Sequence, residues 1–142
     1  MLFGARAYLR QAGATVQAGE GLAYPDVLAA VRAAKSDGTP RGTVVLHVGN
    51  NGAIAERDLQ SLVKGLRGRQ VVLVNLFVPR SWEAYNNGLF ARLAQNNPNV
   101  TVLDWNSVAR AHPSWLYDDR IHLVAPEGRE GYSQWLLRAV TS

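Results

Sequence analysis

Residues 43–52, Thr43-Val44-Val45-Leu46-His47-Val48-Gly49-Asn50-Asn51-Gly52, read as a buried strand running straight into a tight turn. Aliphatic and β-branched side chains without a charge fill strands whose two faces are both covered. Gln70 to Val78 and Val100 to Trp105 share the pattern, and Ala14 to Ala18 reads as a further, shorter strand. Around them, Leu2 to Gln11, Tyr24 to Lys35, Glu56 to Leu66, Trp82 to Gln95 and Glu127 to Val140 read as helices. This alternation predicts an α/β fold, a three-layer α/β/α sandwich with a parallel sheet and right-handed crossovers. The order opens on a helix. In an open sheet the first helix normally follows a first strand, and the turn between them often carries chemistry.

A length of 142 residues fits one domain spanning 1–142 around one core. The absence of cysteine excludes disulfides, thiolate metal sites and a cysteine nucleophile. The longest apolar stretch, Val71 to Val78, is broken by Asn75 and falls far short of the roughly 20 residues that cross a bilayer. Met1 to Arg6 lack the charged leader and apolar core of a signal peptide, so export would have to be directed from outside this sequence. Fifteen basic and 11 acidic residues give a net charge of +4. The basic residues are dispersed, and the densest group, Lys64, Arg67 and Arg69, closes a predicted helix, where cations suit the negative dipole end. No nucleic-acid partner is expected from that distribution. A nucleotide-binding module is disfavoured too, since no phosphate-binding glycine fingerprint with its lysine occurs.

Three short blocks could carry chemistry. Gly49-Asn50-Asn51-Gly52 lies at the carboxyl end of a predicted strand, the edge where ligands bind in such sheets. An asparagine amide there can face a developing oxyanion, although Asn-Asn-Gly is also a favoured sequence for a plain turn. In Asp118-Asp119-Arg120-Ile121-His122-Leu123 a carboxylate stands three residues before a histidine. A local turn would bring Asp119 to His122 Nδ1 and leave Nε2 to accept a proton; a solvated acidic loop beside a histidine has the same spelling. Gly19-Glu20-Gly21 follows the first readable strand, where a Gly21 N–H could join an oxyanion hole or simply make a strand-to-helix turn. His47 reads as a strand residue and His112 as a loop residue.

In this order the blocks resemble those of the SGNH hydrolase superfamily, named for Ser, Gly, Asn and His, and among them the extracytoplasmic domain of bacterial peptidoglycan and polysaccharide O-acetyltransferases. The glycine block is matched by Val16 to Gly21, with Gly21 as counterpart and Gly19 as the alternative. The Gly-Thr-Asn-Gly block is matched by Gly49 to Gly52, which gives Asn51 the oxyanion role. The Asp-Gly-Ile-His-Leu block is matched by Asp119 to Leu123, with Arg120 in place of glycine. Trp82-Glu83 with Asn87, and Asn99 to Trp105, extend the resemblance over most of the chain. The family's Gly-Asp-Ser block, which carries the nucleophile, has no counterpart. By resemblance that serine would lie two residues before Met1, and none of the seven serines present follows a Gly-Asp pair.

The resemblance implies an esterase or O-acetyltransferase domain acting on acetyl esters of carbohydrate, outside the cytoplasm, with His122 as base and Asp119 as its orienter. It implies no cofactor and no metal. Expected partners are an acylated carbohydrate or acyl donor and an upstream membrane acyltransferase domain. The alternative is an inactive remnant of the fold that binds a glycan or a protein. It also implies a missing central strand between Ala14–Ala18 and Thr43–Val48, a gap that could close, borrow a strand from another copy in a homo-oligomer, or take an upstream segment.

Overall fold

The structure, a computed structural model, describes residues 1–19, 24–36 and 42–141. In chain order the elements are helix α1 (Leu2–Gln11), α2 (Tyr24–Ser36), strand β1 (Val44–Leu46), α3 (Glu56–Gly65), β2 (Val71–Val74), α4 (Glu83–Asn96), β3 (Val100–Leu103), α5 (Trp105–Ala111), a single 3₁₀ turn η1 (Pro113–Trp115) and α6 (Glu127–Thr141). The three strands form one parallel sheet in the order β1-β2-β3, with Val44 beside Val71 and Val71 beside Val100.

Alternating strand side chains divide the core between two faces. Val44, Leu46, Val71 and Leu73 pack with Leu59, Leu62 and Val63 of α3, Leu89, Phe90 and Leu93 of α4, and partly buried residues of α2. Val74, with Val45 against it, packs with Ala5 and Leu9 of α1, Trp105 and Ala109 of α5, and Tyr132 and Leu136 of α6. Helices therefore cover both faces, and the fold is an α/β/α sandwich. All four residues of β2 are buried, as expected of a strand paired on both edges and covered on both faces. Among the described residues no helix is long and apolar enough to cross a membrane.

The structure departs from the sequence reading at two places. Ala14–Ala18 is not a strand. It leaves α1 through Gly13, whose φ of +89° suits a residue just past a helix end, and is held by the Arg10 side chain on the Val16 carbonyl at 2.9 Å. β-Branched content makes a strand only where a ladder partner stands beside it, and this segment has none among the described residues. Trp105, read as the end of a strand, instead opens α5. Asp104 is the N-cap: its carboxylate accepts from Ser107 N–H at 3.1 Å and from the Asn75 side-chain amide at 2.8 Å.

β1 has one ladder partner, β2, among the described residues. Its other edge faces a cavity of about 1070 Å³, walled by the Ala14–Gly19 stretch and by residues of α1, α2 and α6.

Candidate active site

Downstream of η1 the chain doubles back in a short hairpin. Leu116 bridges Leu123 in antiparallel fashion, Tyr117 N–H donates to the His122 carbonyl at 2.9 Å, and Arg120 N–H donates to the Tyr117 carbonyl at 2.8 Å. Arg120 has φ +58°. A left-handed residue after a tight turn is a common way to close such a hairpin, and glycine takes that conformation at least cost. An arginine there strains the loop by about 1 kcal/mol without touching the reacting groups.

The turn brings the expected pair together. Asp119 Oδ2 and His122 Nδ1 share a hydrogen bond of 2.6 Å, while Asp119 Oδ1 accepts from Ile121 N–H at 2.8 Å and His122 N–H at 2.9 Å. Partial burial works to raise the Asp119 carboxyl. The hydrogen bonds from the His122 ring and the two N–H groups, together with the charge on His122, outweigh it and hold the carboxyl at about 2. Asp119 is therefore an anion across the working pH range, anchored by three donors, and His122 is oriented with Nε2 free of that contact. With 67% of its side chain exposed, His122 can meet a reactant from solvent.

Asn51, Asp119 and His122 all line the cavity beside β1, whose wall there runs from Thr43 to Asn51. Asn51 is exposed, and Asn50 Oδ1 is buried with no hydrogen-bond partner among the described residues. Gly21 lies outside the described residues, and its alternative Gly19 borders the cavity. No serine lines it. Ser133 is 2% exposed, and its hydroxyl donates to the Arg129 carbonyl at 2.7 Å, so it is committed within α6. No group of metal-ligating side chains occurs among the described residues.

Sequence reading missed the setting of His47. It is buried just past β1, and its Nδ1 shares a 2.7 Å hydrogen bond with the Tyr132 hydroxyl, 85 residues away. His112, between α5 and η1, stacks on Trp115 with ring centroids 4.1 Å apart. Burial pushes His47 well below its ordinary value.

His47 gives a pH-dependent stability of definite sign. Its folded value lies below the unfolded one, near 6.5. As pH falls below about 6.5 the unfolded chain binds a proton that the folded chain refuses, so stability present at neutral pH is lost by about 1.4 kcal/mol per pH unit. Urea unfolding should show this slope developing as pH falls from about 7.5 to 5.5, a loss of about 1.4 kcal/mol over that whole window, and His47→Phe should flatten it. Parallel slopes for the two chains would disprove the assignment.

Comparison with known proteins carries the family reading further. Over 137 residues the chain is 30% identical to "Putative peptidoglycan O-acetyltransferase YrhL" of Bacillus subtilis, a match covering 95% of this chain and 22% of that protein. The chain is a homologue of part of the peptidoglycan O-acetyltransferases. A second such relative, "Peptidoglycan O-acetyltransferase OatA" of Listeria monocytogenes, is 30% identical over 119 residues, covering 82% of this chain and 19% of its own length. "Putative O-acetyltransferase SAS0844" of Staphylococcus aureus is 38% identical over 80 residues, 56% of this chain and 13% of that protein. The chain thus spans about a fifth or less of the O-acetyltransferases it matches. No family model matches the sequence.

Proposed function

We propose that this chain is the SGNH domain of a peptidoglycan O-acetyltransferase, lying outside the cytoplasm and working through an acyl-serine whose serine stands before Met1. The observation that carries the reading is the Asp119–His122 hydrogen bond of 2.6 Å, presented on the cavity that Asn51 also lines. A carboxylate fixing Nδ1 leaves Nε2 to take and return a proton, which is the base half of a serine triad. The match to a fifth of a much longer relative leaves room for a membrane acyltransferase domain upstream as the source of acyl groups.

In this mechanism serine Oγ attacks the carbonyl of an acetyl ester and its proton passes to His122 Nε2. The tetrahedral oxyanion is met by the Asn51 amide, with N–H groups of Gly21 and the serine as further donors. Collapse breaks the ester C–O bond, and the departing alkoxide takes the proton from His122. A glycan hydroxyl then attacks the acyl-serine, gives its proton to His122, and the proton returns to Oγ as the serine is released. Water in place of the glycan gives hydrolysis. Every step is proton transfer and acyl exchange by side chains, so the scheme calls for no cofactor.

p-Nitrophenyl acetate hydrolysis tests the reading on three chains: the 142 residues alone, the chain extended by a strand ending in Gly-Asp-Ser-Val, and that extension ending in Gly-Asp-Ala-Val. Only the second is expected to turn over above background. Equal activity in all three would overturn the missing serine. A silent, folded second chain would favour the non-catalytic remnant.

A further inference from the structure

Asn86 lies in the first turn of α4, is fully buried and does not border the cavity. Its side chain reaches back to the strand-to-turn segment after β1. Nδ2 donates to the Gly49 carbonyl at 3.3 Å and to the Gly52 carbonyl at 3.0 Å, and Oδ1 accepts from Ile54 N–H at 3.0 Å. One amide therefore ties down three backbone groups on both sides of Asn51. The fit is close: Gly49 has φ +96°, and a Cβ there would lie 2.7 Å from Asn86 Nδ2. Gly49 thus needs both the left-handed backbone and the absence of a side chain for this amide to seat.

We propose that Asn86 is a positioning residue, setting the Gly49–Ile54 turn so that the Asn51 amide is fixed at the oxyanion position. The proposal rests on the acyl-transfer reading above. A donor aimed at a developing charge acts only if its direction is fixed before the reaction. A surface turn of two glycines and two asparagines has little intrinsic stiffness, and the buried amide of α4 supplies it. Asn86→Ala would leave two carbonyls and one N–H of the turn without their side-chain partner. Asn86→Asp would keep the acceptor for Ile54 N–H but set a carboxylate against the carbonyls of Gly49 and Gly52.

The test is a double-mutant cycle on p-nitrophenyl acetate hydrolysis by the extended, serine-bearing chain. Asn51→Ala alone is expected to lower kcat by about 10²–10³. Asn86→Ala is expected to lower it by about 10²-fold with KM little changed, the size of effect that a misplaced group gives. The double variant should be no slower than Asn51→Ala within about threefold, because Asn86 acts through that amide. Losses that multiply, or full activity in Asn86→Ala, would overturn the proposal. An Asn51→Ala chain as fast as the parent would sink the oxyanion reading instead, so the two failures are distinguishable. If alanine at 86 prevents folding, Asn86→Asp replaces it in the same cycle. Hydrogen exchange at the Ile54 amide in the 142-residue chain gives a readout without catalysis. Protection should survive in Asn86→Asp and be lost in Asn86→Ala or Asn86→Leu, and unchanged protection in all variants would count against the proposal.

Discussion

In the serine-bearing chain, His122→Ala is expected to lower kcat for p-nitrophenyl acetate by about 10⁶, and Asp119→Ala by about 10⁴, the sizes found for the corresponding losses in a well-studied serine protease. The inequality follows from the geometry. His122 holds the proton in every step, whereas Asp119 acts by fixing Nδ1 at 2.6 Å and by balancing the imidazolium. Asp119 also supports the hairpin, accepting from Ile121 N–H and His122 N–H, so its removal acts on orientation as well as charge. Asp119→Asn is the sharper variant, since it keeps the size of the group while reversing the tautomer that His122 must adopt. Stopped-flow kinetics on the four chains, each verified as folded by circular dichroism, would decide it. A His122→Ala rate equal to the parent's would remove His122 from the mechanism.

The second large effect belongs to the turn after β1. Asn51→Ala should lower kcat by about 10²–10³ and leave KM nearly unchanged, the signature of a contact made mainly in the transition state. Asn50 supplies the internal control. Its Oδ1 is buried, and Asn50→Ala is expected to cost less than about 10-fold. The reverse ranking, measured on the same ester, would transfer the oxyanion role to Asn50.

The parallel sheet was legible because β1, β2 and β3 are short uncharged runs, and the helices between them carry apolar residues on one stripe. Ala14–Ala18 was misread because β-branched content records how a residue behaves beside a partner strand, and no composition reveals whether the partner is there. α5 had a signal that went unused: Asp104 three residues before Ser107 is a helix start, and the cap is made as spelled. Asp119 and His122 were readable because three residues of separation let a single turn close the pair. The tie between His47 and Tyr132 spans 85 residues, and Asn86 lies 32 residues from Ile54. Long-range contacts of buried polar groups leave no periodicity or spacing to read, so the supports of the site emerged only with the fold.

The edge of β1 that faces the cavity has a consequence for behaviour in solution. A Val-Val-Leu edge strand without a charged or proline guard is ordinarily a seed for open-ended association. Here the edge lies at the floor of a recess whose walls are the stretch after α1 and the helices of both layers. An edge walled in by neighbouring elements is one of the ways a fold blunts edge-to-edge pairing.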